Sequence, residues 1–353
     1  MEMKSFWHGK HVFLTGNTGF KGAWLNLWLE KSGAFVSSLA LPPEEDVSLY
    51  SQLFPSKPAS HHEIDLCDAA RVKACLLEAR PEIVIHMAAQ ALVRRSYEDP
   101  IATYATNVMG TVNLLDAVRA CDSVKTVLVV TSDKVYANDD YGRPFVETDT
   151  LGGKDPYSNS KAVTEIVCQG YRASFLAKRG VRLVCARAGN VIGGGDWSVD
   201  RLVPDVMRAF EQGEPVSLRY PHAVRPWQHV LEPIAGYMHY IVQLAQTPEN
   251  VPEALNFGPD PENATPVVKL VEALSSVYKP DRVWEQAPGE HPPEAQLLKL
   301  NSDLAQATIG WRSRLDLSQT LDWTSDWYAA MRSGEDMRAF TLNQIAAYEE
   351  ILA

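Results

Sequence analysis

Thr15-Gly16-Asn17-Thr18-Gly19-Phe20-Lys21-Gly22 decides the fold. A short apolar run, His11-Val12-Phe13-Leu14-Thr15, leads into it. The segment from Phe20 to Ser32 follows, with Trp24, Leu25, Leu27, Trp28 and Leu29 at helical spacing and Gly33 as a stop signal. Strand, glycine turn and helix in that order bring backbone N–H groups and the positive end of a helix dipole against a pyrophosphate. Gly16 permits the tight turn, Gly19 lets a ligand approach the backbone, and Gly22 allows close helix packing. A glycine-rich βα connection without a ligand is the plainer alternative. The place of these residues at the first βα junction favours a dinucleotide site. One mark is missing. An acid should stand about twenty residues on, to hold the adenosine ribose. Here Ser37-Ser38-Leu39-Ala40-Leu41-Pro42-Pro43 comes first, and the nearest acids are Glu44 and Glu45. No arginine stands there to favour NADP, so this stretch leaves NAD and NADP undecided.

Working outward, short apolar runs alternate with helical patterns. Ala34 to Val36, Glu82 to His86, Thr126 to Val130 and Val181 to Cys185 read as strands. Ala69 to Glu78, Ile101 to Ala120 and Tyr157 to Ala177 read as helices. Such a series predicts an α/β fold with a doubly wound parallel (Rossmann) sheet. After about residue 190 glycine and proline become frequent, and strands are short, Pro215 to Leu218 and Leu255 to Phe257. The expectation is a cofactor-binding Rossmann domain over residues 1–189, to which some later segments return, and a smaller mixed substrate-binding region over 190–353.

Composition narrows the function. Apolar types make up 46% of the 353 residues and charged types 22%, an ordinary globular mixture with ample length for a core. Lys plus Arg total 33 against 44 Asp plus Glu, a formal net charge of -11. That balance speaks against nucleic acid or an anionic membrane as partner, so local basic residues must hold any anionic ligand. The five cysteines include no C-x-x-C pair, which suits a reducing cytoplasm and neither a disulfide framework nor a zinc site. His61-His62 and His291 lack convergent ligand spacing, and no metal is expected. The polar first residues do not resemble a secretory signal, and no apolar stretch nears the roughly 20 residues of a membrane span.

Tyr157 and Lys161 stand at i and i+4, one turn apart on one helix face. A phenol is a poor base at neutral pH, and a nearby ammonium favours its ionised form. Such a pair can take a proton from a sugar hydroxyl while hydride leaves the same carbon. Thr131-Ser132-Asp133-Lys134-Val135-Tyr136 follows the strand ending at Val130, at the carboxyl edge where ligands bind in such sheets.

With Asp65-Leu66-Cys67-Asp68, His86-Met87-Ala88-Ala89-Gln90 and Asn107-Val108-Met109-Gly110-Thr111, these motifs follow the order of the extended short-chain dehydrogenases/reductases. The chain resembles that family of nucleotide-sugar epimerases and dehydratases over nearly its whole length, down to Asn301-Ser302-Asp303-Leu304-Ala305 and Ile309-Gly310-Trp311. The resemblance implies NAD as cofactor. It places Gly16, Thr18, Gly19, Phe20, Lys21 and Gly22 at the phosphates, and Asp65 and Leu66 beside the adenine. Ala88, Ala89 and Gln90 would line the cofactor cleft, and Asn107, Thr131, Tyr157 and Lys161 would be further contacts, Lys161 at the nicotinamide ribose. Ser132 would hydrogen-bond the hydroxyl being oxidised.

Asp133 separates reaction types. Simple epimerases of the family usually lack an acid there, whereas 4,6-dehydratases have one because water must leave from C6. Asp133 is thus expected as general acid, provided the enclosed site raises its pKa. Lys134 stands where the dTDP-glucose and GDP-mannose branches would show glutamate. It either acts as a base with a lowered pKa or stabilises the enolate electrostatically. The Asp133-Lys134 dipeptide, Gly19-Phe20-Lys21-Gly22, Gly193-Gly194-Gly195-Asp196-Trp197 with Asp200-Arg201-Leu202-Val203-Pro204, and Arg225-Pro226-Trp227-Gln228-His229-Val230 resemble the branch that acts on CDP-glucose. By that resemblance Asn190, Arg201 and Arg225 contact the nucleotide diphosphate-sugar, and the product is CDP-4-keto-6-deoxy-glucose for bacterial surface polysaccharides. Trp227 and His229 are expected to pack, and His291-Pro292-Pro293-Glu294-Ala295 to lie where the family closes over substrate. A 4-epimerase and a non-catalytic cofactor-binding regulator are the alternatives. Asp133 speaks against the first; Ser132, Tyr157 and Lys161 speak against the second. Relatives of this type pair through the helices near Ile101 to Ala120 and Tyr157, which implies a homodimer or a larger homo-oligomer.

Overall fold

The computed structural model describes residues 2–44, 47–138, 143–260, 264–278, 280–289 and 298–353. Its centre is a seven-stranded sheet. The strands are β1 (His11–Thr15), β2 (Phe35–Ala40), β3 (His61–Glu63), β4 (Ile83–His86), β5 (Thr126–Val130), β6 (Arg182–Arg187) and β7 (Ala254–Asn256). Their order is β7-β6-β5-β4-β1-β2-β3, with every pairing parallel. The chain moves outward from β1 to β3, then crosses back to β4, so the crevice of the topological switch opens above the carboxyl ends of β1 and β4. β4 and β5 are buried along their whole length. Their side chains alternate between two cores: Ile85, Leu128 and Val130 on one face, Val84, Val127 and Val129 on the other.

The helix after the phosphate loop, α1 (Phe20–Lys31), is buried from Gly22 to Leu29 on every side, a wider burial than the one face its spacing suggests. Two C-terminal helices, α6 (Leu317–Ser333) and α7 (Met337–Leu352), account for the difference. Trp28 Nε1 donates to Glu349 Oε1 at 2.8 Å, and Lys31 pairs with the same carboxylate. Trp24 Nε1 reaches Gly194 O at 3.0 Å. The last residues of the chain thus brace its first βα unit.

The segment expected as one helix over Ile101 to Ala120 is interrupted. It runs as α2 (Pro100–Tyr104), a widened π turn Ala105–Met109, and α3 (Gly110–Ala120). Hydroxyls use the Asn107 carbonyl in that turn: Thr111 Oγ1 donates to it at 2.6 Å and Thr164 Oγ1 at 3.0 Å. The Tyr157 helix, α4 (Pro156–Tyr171), ends earlier than its spacing suggests and passes through Arg172–Leu176 into a tight turn closed by Gly180 at φ +71°. After β6 the chain forms two-residue and three-residue strands, Leu202–Glu211, and α5 (Leu231–Gln246), which packs on β5. β7 then returns to the edge of the main sheet beside β6.

Candidate active site

A cleft of about 1320 Å³ lies above the carboxyl ends of the parallel strands. Its cofactor side is built largely from backbone. Gly16 has φ +78°, and a Cβ there would come within 2.6 Å of the Ala88 nitrogen. At Gly22 a Cβ would lie 2.0 Å from the Gly16 carbonyl oxygen. At Gly19 the nearest atom to such a Cβ is the Gly16 carbonyl oxygen at 3.5 Å, an ordinary van der Waals contact, so this glycine is not closed in by the protein. The two tight glycines fold the loop onto its own strand and helix, and the open one leaves room for a ligand at the helix N-terminus. A dinucleotide diphosphate fits this cradle.

Side chains hold the cradle from behind. Asn17 is buried, and its Nδ2 lies 3.2 Å from His61 Nδ1, which Ser38 Oγ also approaches at 3.0 Å. Burial pushes the His61 pKa down to about 4, with the Lys57 ammonium adding to it. Thr15 Oγ1 sits 2.7 Å from His86 Nδ1 and accepts from the Met87 and Ala88 N–H groups, while His86 Nε2 lies 3.0 Å from Thr111 Oγ1. Burial takes the His86 pKa to about 3. That neutral imidazole ties the ends of β1 and β4 to α3. Asn107 does not line the cleft. Its Oδ1 accepts from Gln90 N at 2.8 Å, and its Nδ2 donates to Gln90 O and Ser160 Oγ, so it positions the wall that Gln90 presents.

The other side of the cleft is built from charged and hydroxyl groups after β5. Ser132 Oγ donates to Asp133 Oδ1 at 2.9 Å, and Lys134 Nζ approaches the same oxygen at 3.4 Å. Asp133 is buried against Gly189, where a Cβ would fall 1.9 Å from Asp133 Oδ2. Tyr157 comes from the first turn of α4, which starts at the Asp155 cap with Pro156 in the first turn. Burial pushes the Tyr157 phenol above its ordinary value, against a downward pull from Lys134 and Ser132. The strongest cationic pull on Tyr157 comes from Lys134, not from the lysine one turn along, and burial outweighs it. Lys161 instead donates to Val130 O at 3.3 Å, its pKa taken by burial to about 8 although Glu165 opposes the change.

The surroundings of Lys134 favour one of its two expected roles. Burial alone would lower its pKa, but the Asp133 charge and Tyr157 outweigh burial and raise it. That shift favours the ammonium, a form suited to stabilising negative charge. Asn190, Arg201 and Arg225 line the same cleft. Asn190 adopts φ +48°, and its Nδ2 is buried without a partner among the described residues. Arg201 pairs with Asp196 at 3.2 Å, and Arg225 is carried by the strand Val224–Pro226. Thr18, Phe20, Lys21, Asp65, Leu66, Ala89 and Thr131 also stand on the lining. The segment His291 to Ala295 lies outside the described residues.

Sequence reasoning missed the buried ion pair behind the site. Arg187 Nε donates to Glu165 Oε1 at 2.9 Å, its Nη2 meets Oε2, and Thr131 Oγ1 donates to the same carboxylate at 2.7 Å. The pair fastens α4, with Tyr157 and Lys161, to the ends of β5 and β6. Its signal was present: Glu165 continues the Tyr157–Lys161 spacing by one more turn.

Residues 12–258 match the family described as NAD dependent epimerase/dehydratase. A CDP-glucose 4,6-dehydratase of Salmonella typhimurium is 43% identical over 350 residues, covering 98% of each chain. Among solved structures, a UDP-glucose 4-epimerase of Thermus thermophilus in complex with NAD is 25% identical, with a TM-score of 0.73 over 90% of this chain and 98% of that one. A dTDP-glucose 4,6-dehydratase of Bacillus anthracis, also in complex with NAD, has a TM-score of 0.74 at 20% identity and covers 91% of this chain and 97% of that one.

Proposed function

The chain belongs to the NAD dependent epimerase/dehydratase family, and we propose that its cleft converts CDP-glucose to CDP-4-keto-6-deoxy-glucose. The enzyme is an NAD-dependent nucleotide-sugar 4,6-dehydratase, a lyase. The cradle of Gly16, Gly19 and Gly22 would hold NAD, which when bound would supply a hydride acceptor for C4 and a hydride donor for C6 with no net consumption. The observation that carries the dehydratase assignment is the buried Asp133 carboxylate, joined to Ser132 and Lys134 and facing the cleft with Tyr157.

Within that proposal Tyr157 works as its phenolate, the form that Lys134 and Ser132 favour, and accepts the C4 hydroxyl proton while Ser132 holds the oxygen. The ketone acidifies the C5 proton, and the Lys134 ammonium stabilises the enolate left when that proton departs. The Asp133 carboxylate takes up that C5 proton and delivers it to the C6 hydroxyl, which leaves as water, so the carboxylate is regenerated, and C5 takes a proton from water as hydride returns to C6. Arg201 and Arg225 meet the diphosphate, a task for which guanidinium forks are suited in a chain of net charge -11. The division into a cofactor-binding part over 1–189 and a nucleotide-sugar-binding part over 190–353 belongs to the same proposal, with β7 returning to the first part.

We further propose a homodimer. Ile101 is 82% exposed, Met109 52% and Ile166 53%, on the adjoining Pro100–Ala120 and α4 segments. Burying such side chains against their mates is favourable. Sedimentation as a monomer at working concentration would refute it. Among the described residues no helix is long and apolar enough to cross a membrane. We place the enzyme in the cytoplasm, a compartment that suits its five free thiols.

The deciding experiment incubates the protein with CDP-glucose and catalytic NAD, in parallel with dTDP-, UDP- and GDP-sugars, and follows mass. Loss of one water from CDP-glucose without net NADH is expected. An unchanged mass with a new stereoisomer would make it an epimerase, and loss of water from another nucleotide sugar would move the base preference.

A further inference from the structure

The turn that carries Asp133 and Lys134 is short, Asp133–Val135, and Thr131 and Tyr136 stand at its two ends. Both of these side chains are buried, and both reach the ion pair behind the site. Thr131 Oγ1 donates to Glu165 Oε1 at 2.7 Å. Arg187 Nη1 donates to the Tyr136 hydroxyl at 2.7 Å, and its guanidinium lies 4.9 Å from the centre of that ring. The hydroxyl in turn donates to Asn256 Oδ1 on β7 at 2.7 Å, while the ring stacks on Phe145 at 4.8 Å. Glu165 belongs to α4, the helix of Tyr157 and Lys161. One buried pair of charges therefore joins both ends of the turn to the helix that faces it across the reacting end of the cleft.

Stability alone does not call for charges there. Apolar side chains of like volume often replace a buried ion pair at no loss of stability. A guanidinium fork on a carboxylate adds direction, since its hydrogen bonds set distances and angles that apolar packing leaves loose. Arg187 uses its whole fork in this way, with Nε and Nη2 on Glu165 and Nη1 on Tyr136 and on Glu147 O at 3.1 Å. Direction matters most for Lys134. Its side chain is 34% exposed, its stem is flexible, and its Nζ is 3.4 Å from Asp133 Oδ1. Where that ammonium stands relative to Tyr157 depends on where the turn is set relative to α4.

We propose that Tyr136 is a positioning residue for the reaction: tied to the Glu165–Arg187 pair, it fixes the turn against α4 so that Lys134 serves Asp133 and Tyr157 together. Thr131 does the same at the other end of the turn. The inference rests on the reading that this cleft converts CDP-glucose.

Tyr136→Phe removes one hydroxyl and keeps the ring that stacks on Phe145 and meets Arg187. In the full-length protein it is expected to lower kcat for CDP-glucose by about tenfold, while KM stays within about twofold of wild type. The discriminating measurement repeats the substitution in a Lys134→Met background. A hydroxyl that acts through Lys134 costs less than about twofold in kcat once the ammonium is gone. A hydroxyl that only stabilises the fold costs the same in both backgrounds, and that result overturns the inference. Wild-type kcat in either single variant overturns it as well. Should Tyr136→Phe not fold, Thr131→Val enters the same cycle with the same expectation. A wild type that leaves CDP-glucose unchanged overturns the substrate reading and the inference with it, whereas normal wild-type turnover with losses that multiply overturns the inference alone.

Discussion

The two ends of the cleft are made differently. At the phosphate loop, Gly16 and Gly22 hold backbone against backbone, and the restriction is that no atom be added. At the end of β5, Ser132, Asp133, Lys134 and Tyr157 hold hydroxyls and charges together, and the restriction is that no functional atom be lost. A change at the first end therefore acts on packing and cofactor affinity. A change at the second acts on the chemical steps and leaves the fold in place.

The largest expected effects lie at the charged end. Tyr157→Phe and Asp133→Asn should each lower kcat by about 10²–10⁴-fold while the melting temperature and NAD affinity hold, as steady-state kinetics and calorimetry would show. A residual rate within about tenfold of wild type would remove the residue from its proposed role. Lys134→Met comes next, with a loss of about 10²-fold, the scale of one lost donor to a developing oxyanion. Because its neighbours raise the Lys134 pKa, this ammonium stays charged throughout the neutral range. The pH profile of kcat should then show no break near neutrality that Lys134→Arg abolishes. Such a break would return Lys134 to the role of base.

At the backbone end the effects are smaller and of another kind. Gly22→Ala drives a Cβ to 2.0 Å from the Gly16 carbonyl and should cost about 1–3 kcal/mol of stability, measured by denaturant unfolding. Gly19→Ala has room and should leave stability nearly unchanged while weakening NAD. If both substitutions were to weaken NAD alone, the steric account of Gly22 would fail.

The same contrast decides what was legible in the sequence. β1, β4, β5 and β6 announce themselves because strands buried on both faces need unbroken apolar runs, and the glycine spacing announces the loop because backbone contact tolerates nothing else. The π turn at Ala105–Met109 left no such mark, since a single widened turn alters neither composition nor spacing. β7 was legible as the short strand Leu255 to Phe257 but its partner was not, because three residues have no period and the pairing with β6 spans a long separation. The charged end was legible as a set of residues but not as a set of protonation states. Tyr157 and Lys161 are one helical turn apart in any helix, yet the cation that acts most on the phenol is Lys134, brought there by the turn after β5. Burial and proximity decide such states, and both are properties of the assembled site.

His61 gives the backbone end its own titration, and the expected effect is the smallest. Both neighbours, Ser38 Oγ and Asn17 Nδ2, approach Nδ1, so that nitrogen must be an acceptor and the ring neutral. Its folded pKa is about 4, below the 6.5 of a free imidazole. The unfolded chain therefore binds a proton in this window that the folded chain does not. Stability from this group is present above 6.5 and is lost as the pH falls toward 4. Between neutral and mildly acidic pH that amounts to about 1 kcal/mol. His61→Asn removes the titration, so its stability deficit against wild type should narrow by that amount as the pH is lowered. A deficit independent of pH would mean that the imidazole takes its proton without releasing Asn17, and that the phosphate loop is held by the glycines alone.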